Sequence, residues 1–357
     1  MNTQTKRTFE QALADINFDM NKTSLVGADL RNINLEGVHI NCSELPTEGL
    51  TGADLRGVNL RGADLTELAL EHANLADADL TGATLGGALL TGVIFTNANL
   101  TETVFSGSDV TCADFTDATF KNNDMAYLYG HGAIFKLAVL RAVDFDQANI
   151  SAFDFSGADL SGAVMTEGEF HSCDFTRANL SAVDLTGSQV TDAIFDYADM
   201  TNANLTNCEG YNASFKNSNL TGGQFKHSEL KCSKFIESDM TSAKMEMANF
   251  RNSTFSKVII ENADFKRANW DEGHIEYMDF KGIDLTDSTM QTARINNVSF
   301  NKSNLTKVNM KGTRLTDVHL GDALFSETNM AFVKIKNAHS QELLNTDGII
   351  TTGLQYI

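Results

Sequence analysis

Every fifth residue from Leu25 to Ile335 belongs to one apolar series. Of its 63 positions, sixty are Leu, Phe, Met, Ile or Val, and the exceptions are Gly130, Gly210 and Trp270. Nineteen of the 23 phenylalanines fall in this series. Two residues earlier runs a second series that is mostly small: Ala28, Ala53, Ala63, Ala73, Ala78, Ala83. The positions between are Asp, Asn, Thr, Ser, Gly and Lys. A period of five suits neither an amphipathic helix nor a long pleated strand, whose side chains repeat every 3.6 and 2 residues. It suits a coil that turns a corner once per repeat, pointing one large and one small side chain inward each time. Sixteen glycines, Gly27, Gly37 and Gly52 among them, stand two residues past the large position, where a corner needs a permissive backbone. Asn217, Asn252 and Asn262 take that place later in the chain, and Asn also tolerates left-handed angles.

The unit is thus A(D/N)LXX, as in Ala53-Asp54-Leu55-Arg56-Gly57 and Ala158-Asp159-Leu160-Ser161-Gly162. On these residues the chain resembles the pentapeptide-repeat proteins over about residues 23–338. The resemblance implies an all-β fold, a right-handed quadrilateral parallel β-helix with four pentapeptides per coil. The residues offer their own check on four. If positions 20 apart stack, Phe95, Phe115, Phe135, Phe155, Phe175, Phe195, Phe215, Phe235 and Phe255 form one column, and Gly130, Gly210 and Trp270 share another. The expectation is about 16 coils, a rod of roughly 75 Å at the spacing of hydrogen-bonded strands. Residues 1–22 are expected to form an N-terminal cap, with a short helix at Thr8–Ala14 and Thr8 and Gln11 in capping-box spacing. Residues 339–357 form a non-repeat tail, whose Gln341-Glu342-Leu343-Leu344 and Ile349-Ile350 would cover the last coil or bridge to a second copy.

Two segments disturb the small series while keeping the count of five. Ser43–Gly49 puts Glu48 at a small position beside Pro46, which reads as a bulge or outward loop. Asn123–Gly132 puts Asn123 and Leu128 at small positions and Gly130 at a large one. Tyr127 and Tyr129 in that segment either anchor a partner or repack a deformed coil.

Composition sharpens this picture. One proline in 357 residues fits a chain that needs nearly every backbone donor for its ladder. The length does not signal several domains, because a solenoid grows by adding coils. The net charge of −20 is unevenly spread: residues 1–215 carry 30 acids and 10 bases, residues 216–357 carry 17 of each. That balance argues against direct binding to nucleic acid or to an anionic membrane. No apolar stretch approaches the ~20 residues of a membrane span, and Met1–Arg7 lacks the apolar core of a secretory signal. The expected location is cytoplasmic or within an assembled particle. Cys42, Cys112, Cys173, Cys208 and Cys232 show no metal-site spacing and read as reduced thiols.

The eight histidines are dispersed, and no nucleophile motif, phosphate loop or HExxH occurs. No catalytic residue, cofactor or metal site is assigned, and the chain reads as a non-enzyme. The outward position before the large one stacks Asp124 with Asp144, Asp154 with Asp174, and Asp264 with Asp284. Such pairs either repel, share a proton or cation, or serve as caps on turn amides. Lys234, His274, Arg294, Arg314 and Lys334 form a basic-leaning row, read as a solvated face rather than a nucleic-acid track.

Three functional readings follow. In the first, the chain is a structural or protein-interaction scaffold, a stiff rod docking onto other proteins, with a place in a large assembly such as a phage particle. In the second, implied by the resemblance, the acidic half over residues 62–215 mimics duplex DNA and modulates a type II topoisomerase. In the third, it is a secreted effector or targeting module. The candidate interaction surface comprises Asp124, Asp144, Asp154, Asp159, Asp174 and Asp184, with Tyr127 and Tyr129. Partners are other proteins, with homo-oligomers through an end cap as a further option.

Overall fold

In the computed structural model, which describes residues 9–15, 25–31, 33–38, 40, 45, 48–337 and 349–357, the five-residue unit is a β-bridge followed by a turn. Around Leu75, for example, the Leu75 amide donates to Ile94 O (2.7 Å), Ile94 donates back to Ala73 O (3.0 Å), and Asp77 donates to Thr96 O (3.0 Å). The turn closes through Ala78 N to Leu75 O at 3.2 Å. Most backbone polar groups are therefore paired with the coil above, the coil below or the local turn, as a buried backbone requires. The bridges join residues 20 apart in parallel, Asn74 to Ile94 to Asp114 to Ile134 to Asp154 to Asp174. The fold is a parallel β-solenoid with four pentapeptides per coil.

At every position two past the large residue, from 52 to 337, φ lies between +51° and +72°. That is the second central residue of a type II turn. Glu67, Tyr127 and Lys257 adopt it as Gly52 does. No Val or Ile occurs there, and Thr292 (φ +55°) is its one β-branched residue, in line with the steric cost of branching at left-handed angles.

The chain divides into two units, Met1–Asn179 and Leu180–Ile357. In the first, helix α1 (Phe9–Asp15) buries Phe9, Ala12 and Leu13; Thr8, and with it the capping box, lies outside the described residues. The stacked rings of this unit are Phe95, Phe115, Phe135, Phe155 and Phe175, with centroids 4.9, 4.4, 5.2 and 5.0 Å apart. In the second unit Phe195, Phe215, Phe235 and Phe255 stack at 4.9, 4.8 and 4.6 Å.

Where the bridging extends, short strands form. They are β1 Tyr129–His131, β2 Asn149–Ser151 and β3 Glu169–His171 in the first unit. The second unit holds β4 Lys234–Ile236, β5 Thr254–Ser256, β6 His274–Glu276, β7 Arg294–Ser299, β8 Arg314–His319, β9 Lys334–Lys336 and β10 Gln355–Tyr356. The last seven make one parallel sheet in chain order. β10 comes from the non-repeat tail: Tyr356 pairs with Ile335, and Ile350 donates to Thr328 O at 3.0 Å. Residues 341–344 lie outside the described residues.

One expectation is corrected. The first described coil spans 25 residues rather than 20, pairing Asp29 with Asp54 and Asn34 with Asn59, so the number of coils falls below sixteen. The extra pentapeptide lies between Ile40, which donates to Asp64 O, and Leu50, which donates to Ala69 O. Glu48 is exposed rather than inward, and Gly49 is buried in its place. Pro46 lies outside the described residues. An insertion of five preserves the phase of the large series, which is why the count of five hides it.

Candidate functional site

The outward Asp residues are not free carboxylates. Each turns Oδ1 back onto the amide two residues on: Asp124 to Ala126 (3.0 Å), Asp144 to Asp146 (2.9 Å), Asp154 to Ser156 (2.8 Å), Asp159 to Ser161 (3.2 Å), Asp174 to Thr176 (2.8 Å) and Asp184 to Thr186 (3.0 Å). A Thr at that second place adds its hydroxyl to the same oxygen, as Thr111 does on Asp109 (2.7 Å) and Thr116 on Asp114 (2.6 Å). The Asp or Asn of the repeat is therefore an Asx cap, which accounts for both the residue type and the frequent DLT and DFT strings. Oδ2 then meets an arginine, as in Asp54, Asp79 and Asp159, or is left for solvent or a partner.

The register places the candidate residues. Asp124 bridges to Asp144 and Asp154 to Asp174, so each pair stacks. The two pairs sit half a coil apart in the 20-residue register, on opposite faces. Asp159 lies on a third face, where its Oδ2 meets Arg141 Nε at 2.5 Å and Asn179 donates to its Oδ1 at 3.1 Å. Burial pushes the Asp159 carboxyl up, but the bonds from Arg141 and Ser161 outweigh it and hold it below the usual range. Asp184 belongs to the second unit. Tyr127 (55% exposed) and Tyr129 (44%) flank the fourth face. In the same segment Asn123 is buried and donates to Leu100 O (2.6 Å) and Thr103 O (2.9 Å). The candidate residues of the first unit thus lie on several faces and form no single cluster.

The acidic first unit carries 25 acids and 10 bases. Several of its arginines are tied to aspartates: Arg31 to Asp29 (2.7 Å), Arg56 to Asp54 (2.7 Å) and Arg61 to Asp79 (3.1 Å). Arg31 holds the Asp29 carboxyl down to about 2. In the second unit the basic row exists as read: Lys234, Thr254, His274, Arg294, Arg314 and Lys334 are successive partners across β4 to β9. Among the described residues, no group of three or more His, Cys, Asp or Glu converges as a metal cluster, and no helix is long and apolar enough to cross a membrane. Cys173 and Cys208 are buried, and burial pushes both thiols up to about 12.

One feature escaped sequence reasoning. Asp264 and Asp284 do not bridge; the coils part between residues 258–265 and 279–284, leaving a cleft of about 980 Å³. Met278 and Ile283 put bulk at two successive small positions there, but Ile33 and Val38 do so with both carbonyls still bonded to the next coil, so the sequence held no distinguishing signal.

The pentapeptide-repeats family model matches residues 50–87, 83–122, 144–181, 173–209, 211–246, 233–269 and 303–339. No curated protein matches the sequence. Similar solved structures include HetL, a pentapeptide repeat protein involved in heterocyst differentiation regulation from the cyanobacterium Nostoc sp. strain PCC 7120 (19% identity, 73% of this chain and 96% of that one, TM-score 0.29). Full-length QnrB1, a plasmid-mediated fluoroquinolone resistance protein, is 18% identical over 58% of this chain and 93% of its own, with a TM-score of 0.29. Rfr23 from the cyanobacterium Cyanothece 51142 is 12% identical over 54% of this chain and 90% of its own, with a TM-score of 0.12. Scores this low add nothing to the assignment, which rests on the family match and the coil register. The matched segments cover more than half of the sequence, and the chain belongs to the pentapeptide-repeat family.

Proposed function

We propose that the chain is a non-enzymatic protein-interaction scaffold. The observation that carries this reading is the fate of its acidic side chains. Asp124, Asp144, Asp154, Asp159, Asp174 and Asp184 each spend one oxygen on a turn amide. The five in the first unit are held on separate faces, an arrangement suited to multipoint docking and unsuited to convergent acid–base chemistry. Tyr127 and Tyr129 add exposed aromatic area on the first unit. The test is in-cell cross-linking of the tagged chain at native abundance, followed by purification. The same partner proteins should be recovered in fixed proportion, and recovery of the chain alone would overturn the reading.

A second reading is favoured by the charge of the first unit, 25 acids against 10 bases. It is a DNA-mimic modulator of type II topoisomerase, which the chain would engage through Asp144, Asp154, Asp159 and Asp174. A gyrase supercoiling assay separates the two. Inhibition or protection at micromolar chain supports mimicry, and no effect removes it.

A further inference from the structure

The face of the second unit that carries β4 to β9 stacks Lys234, Thr254, His274, Arg294, Arg314 and Lys334 in register. Towards the C-terminus it is cationic. Residues 291–297, 311–317 and 331–337 form it in three successive coils, and they hold Arg294, Lys311, Arg314, Lys334 and Lys336 against Asp317 alone. All five bases are exposed, and none has an ion-pair partner among the described residues. Bases elsewhere in the unit are paired: Lys216 with Asp196 (3.6 Å), Lys226 with Glu246 (3.0 Å), Lys231 with Glu229 (2.8 Å), Arg251 with Glu272 (2.7 Å), Lys257 with Glu237 (2.8 Å) and Lys266 with Asp284 (3.4 Å). Lys302 and Lys307 are unpaired too, but the residues 20 away from them include Asp322, Asp287 and Glu327. The neighbours of Arg294, Arg314 and Lys334 in register are His274, one another and Gln355.

The backbone fixes this stack. Arg294 donates to Gly273 O (2.8 Å), Arg314 to Ala293 O (2.9 Å) and Lys334 to Thr313 O (3.0 Å). Like charges directly opposite on neighbouring strands destabilise a sheet, and no acid of the next coil offsets them here. An anionic partner laid along the row relieves that repulsion and adds attraction of its own.

We propose that the row docks the acidic stripe of an α-helix from a partner protein. Spacing argues for a helix. Residues in register on neighbouring strands stand about 4.8 Å apart. Carboxylates one turn apart on a helix recur about every 5.4 Å, nearly in step with three stacked cations. On one side of an extended strand they recur about every 6.8 Å and fall out of step by the third. Width argues against nucleic acid. The strip is bounded by Asp271 and Glu272 on one side and by Glu276 and Asp317 on the other. A duplex carries about one charge per 1.7 Å around a broad cylinder and would set phosphates against those carboxylates. Phe332, 55% exposed at the edge of the row, offers apolar contact to a neighbouring turn of the helix. The inference rests on the interaction-scaffold reading and assigns it one docking surface.

The test uses the full chain and labelled Ala-rich peptides of about 18 residues, long enough to form a helix. The first carries Glu along one stripe, at i, i+4, i+7 and i+11. The second spreads the same Glu residues around the helix, and the third keeps the stripe but is broken by a central Pro. A short DNA duplex is the fourth probe. Fluorescence anisotropy at low salt should show the striped helix binding about tenfold or more tighter than each of the others. Arg294→Gln with Arg314→Gln should weaken that binding about tenfold or more while raising Tm, because the stacked repulsion is removed. Lys302→Gln with Lys307→Gln, exposed on other faces, should leave binding unchanged. No binding of the striped helix, equal binding of the spread or Pro-broken peptide, or a Tm lowered by the double Arg substitution overturns the proposal. So does tighter binding of the duplex, which would place nucleic acid on the row. Self-association of the purified chain that the double Arg substitution abolishes overturns it as well, by placing a second copy there. A negative result here leaves co-purified partners unaffected, so the failure of this site and the failure of the scaffold reading are distinguishable.

Discussion

Asp114 Oδ1 accepts both the backbone N–H of Thr116 at 2.9 Å and its hydroxyl at 2.6 Å. The repeat's acid is thus a turn cap, and its charge is secondary to its acceptor. Asp114→Asn should leave stability nearly unchanged, whereas Asp114→Ala should cost about 1–2 kcal/mol. Denaturant unfolding of the two variants checks this, and an equal loss in both would show that charge matters more than the cap.

Phe115 stacks on Phe95 at 4.9 Å and on Phe135 at 4.4 Å. Phe115→Ala should cost about 3–5 kcal/mol by opening a cavity between two rings. A loss below about 1 kcal/mol on unfolding would mean that neighbouring coils collapse into the space.

At Gly130 (φ +154°) a Cβ would lie 2.9 Å from Thr111 N, a backbone atom that cannot step aside. Gly27 (φ +67°) has nothing within 4 Å of its Cβ position. Gly130→Ala should therefore lower Tm well below the shift caused by Gly27→Ala, which meets only the local cost of a left-handed angle, about 1 kcal/mol.

Acid should destabilise the first unit through its depressed aspartates. The folded value of Asp29 is held to about 2 by Arg31, and Asp54 is held low by Arg56. A depressed carboxylate contributes its stability above the unfolded value, about 4, and loses it as the pH falls through the folded value. Carboxylate NMR titration should place the Asp29 midpoint near 2. In Arg31→Gln it should return toward the ordinary range.

Thiol labelling distinguishes the cysteines. Cys112 is exposed and Cys232 half-buried, whereas Cys173 and Cys208 are buried with thiols pushed up to about 12. Iodoacetamide at neutral pH should modify Cys112 and Cys232 in the native chain, and Cys173 and Cys208 only after unfolding.

The fold was legible because one inward column repeats with an integer period, so the spacing of Phe95, Phe115 and Phe135 revealed four units per coil. The 25-residue coil was illegible for the same reason, since an insertion between Ile40 and Leu50 that equals one period leaves every later large residue in phase. The stacked pairs Asp124–Asp144 and Asp154–Asp174 could be read from spacing. That each carboxylate caps its own turn was one of the readings the A(D/N)L unit allowed, and the bonds to Ala126, Asp146, Ser156 and Thr176 select it. The split beside Met278 and Ile283 lies between neighbouring coils, and a linear reading of Leu68 or Leu128 shows the same bulk without consequence.

The central claim is that this chain works by holding other proteins. Sedimentation of the native chain in a gentle extract of its own cells tests it most directly, at low salt and at about 1 M, where charge contacts are screened. The account predicts a species much heavier than the 38.9 kDa chain at low salt and its dissociation at high salt. Sedimentation as the lone chain under both conditions would contradict it.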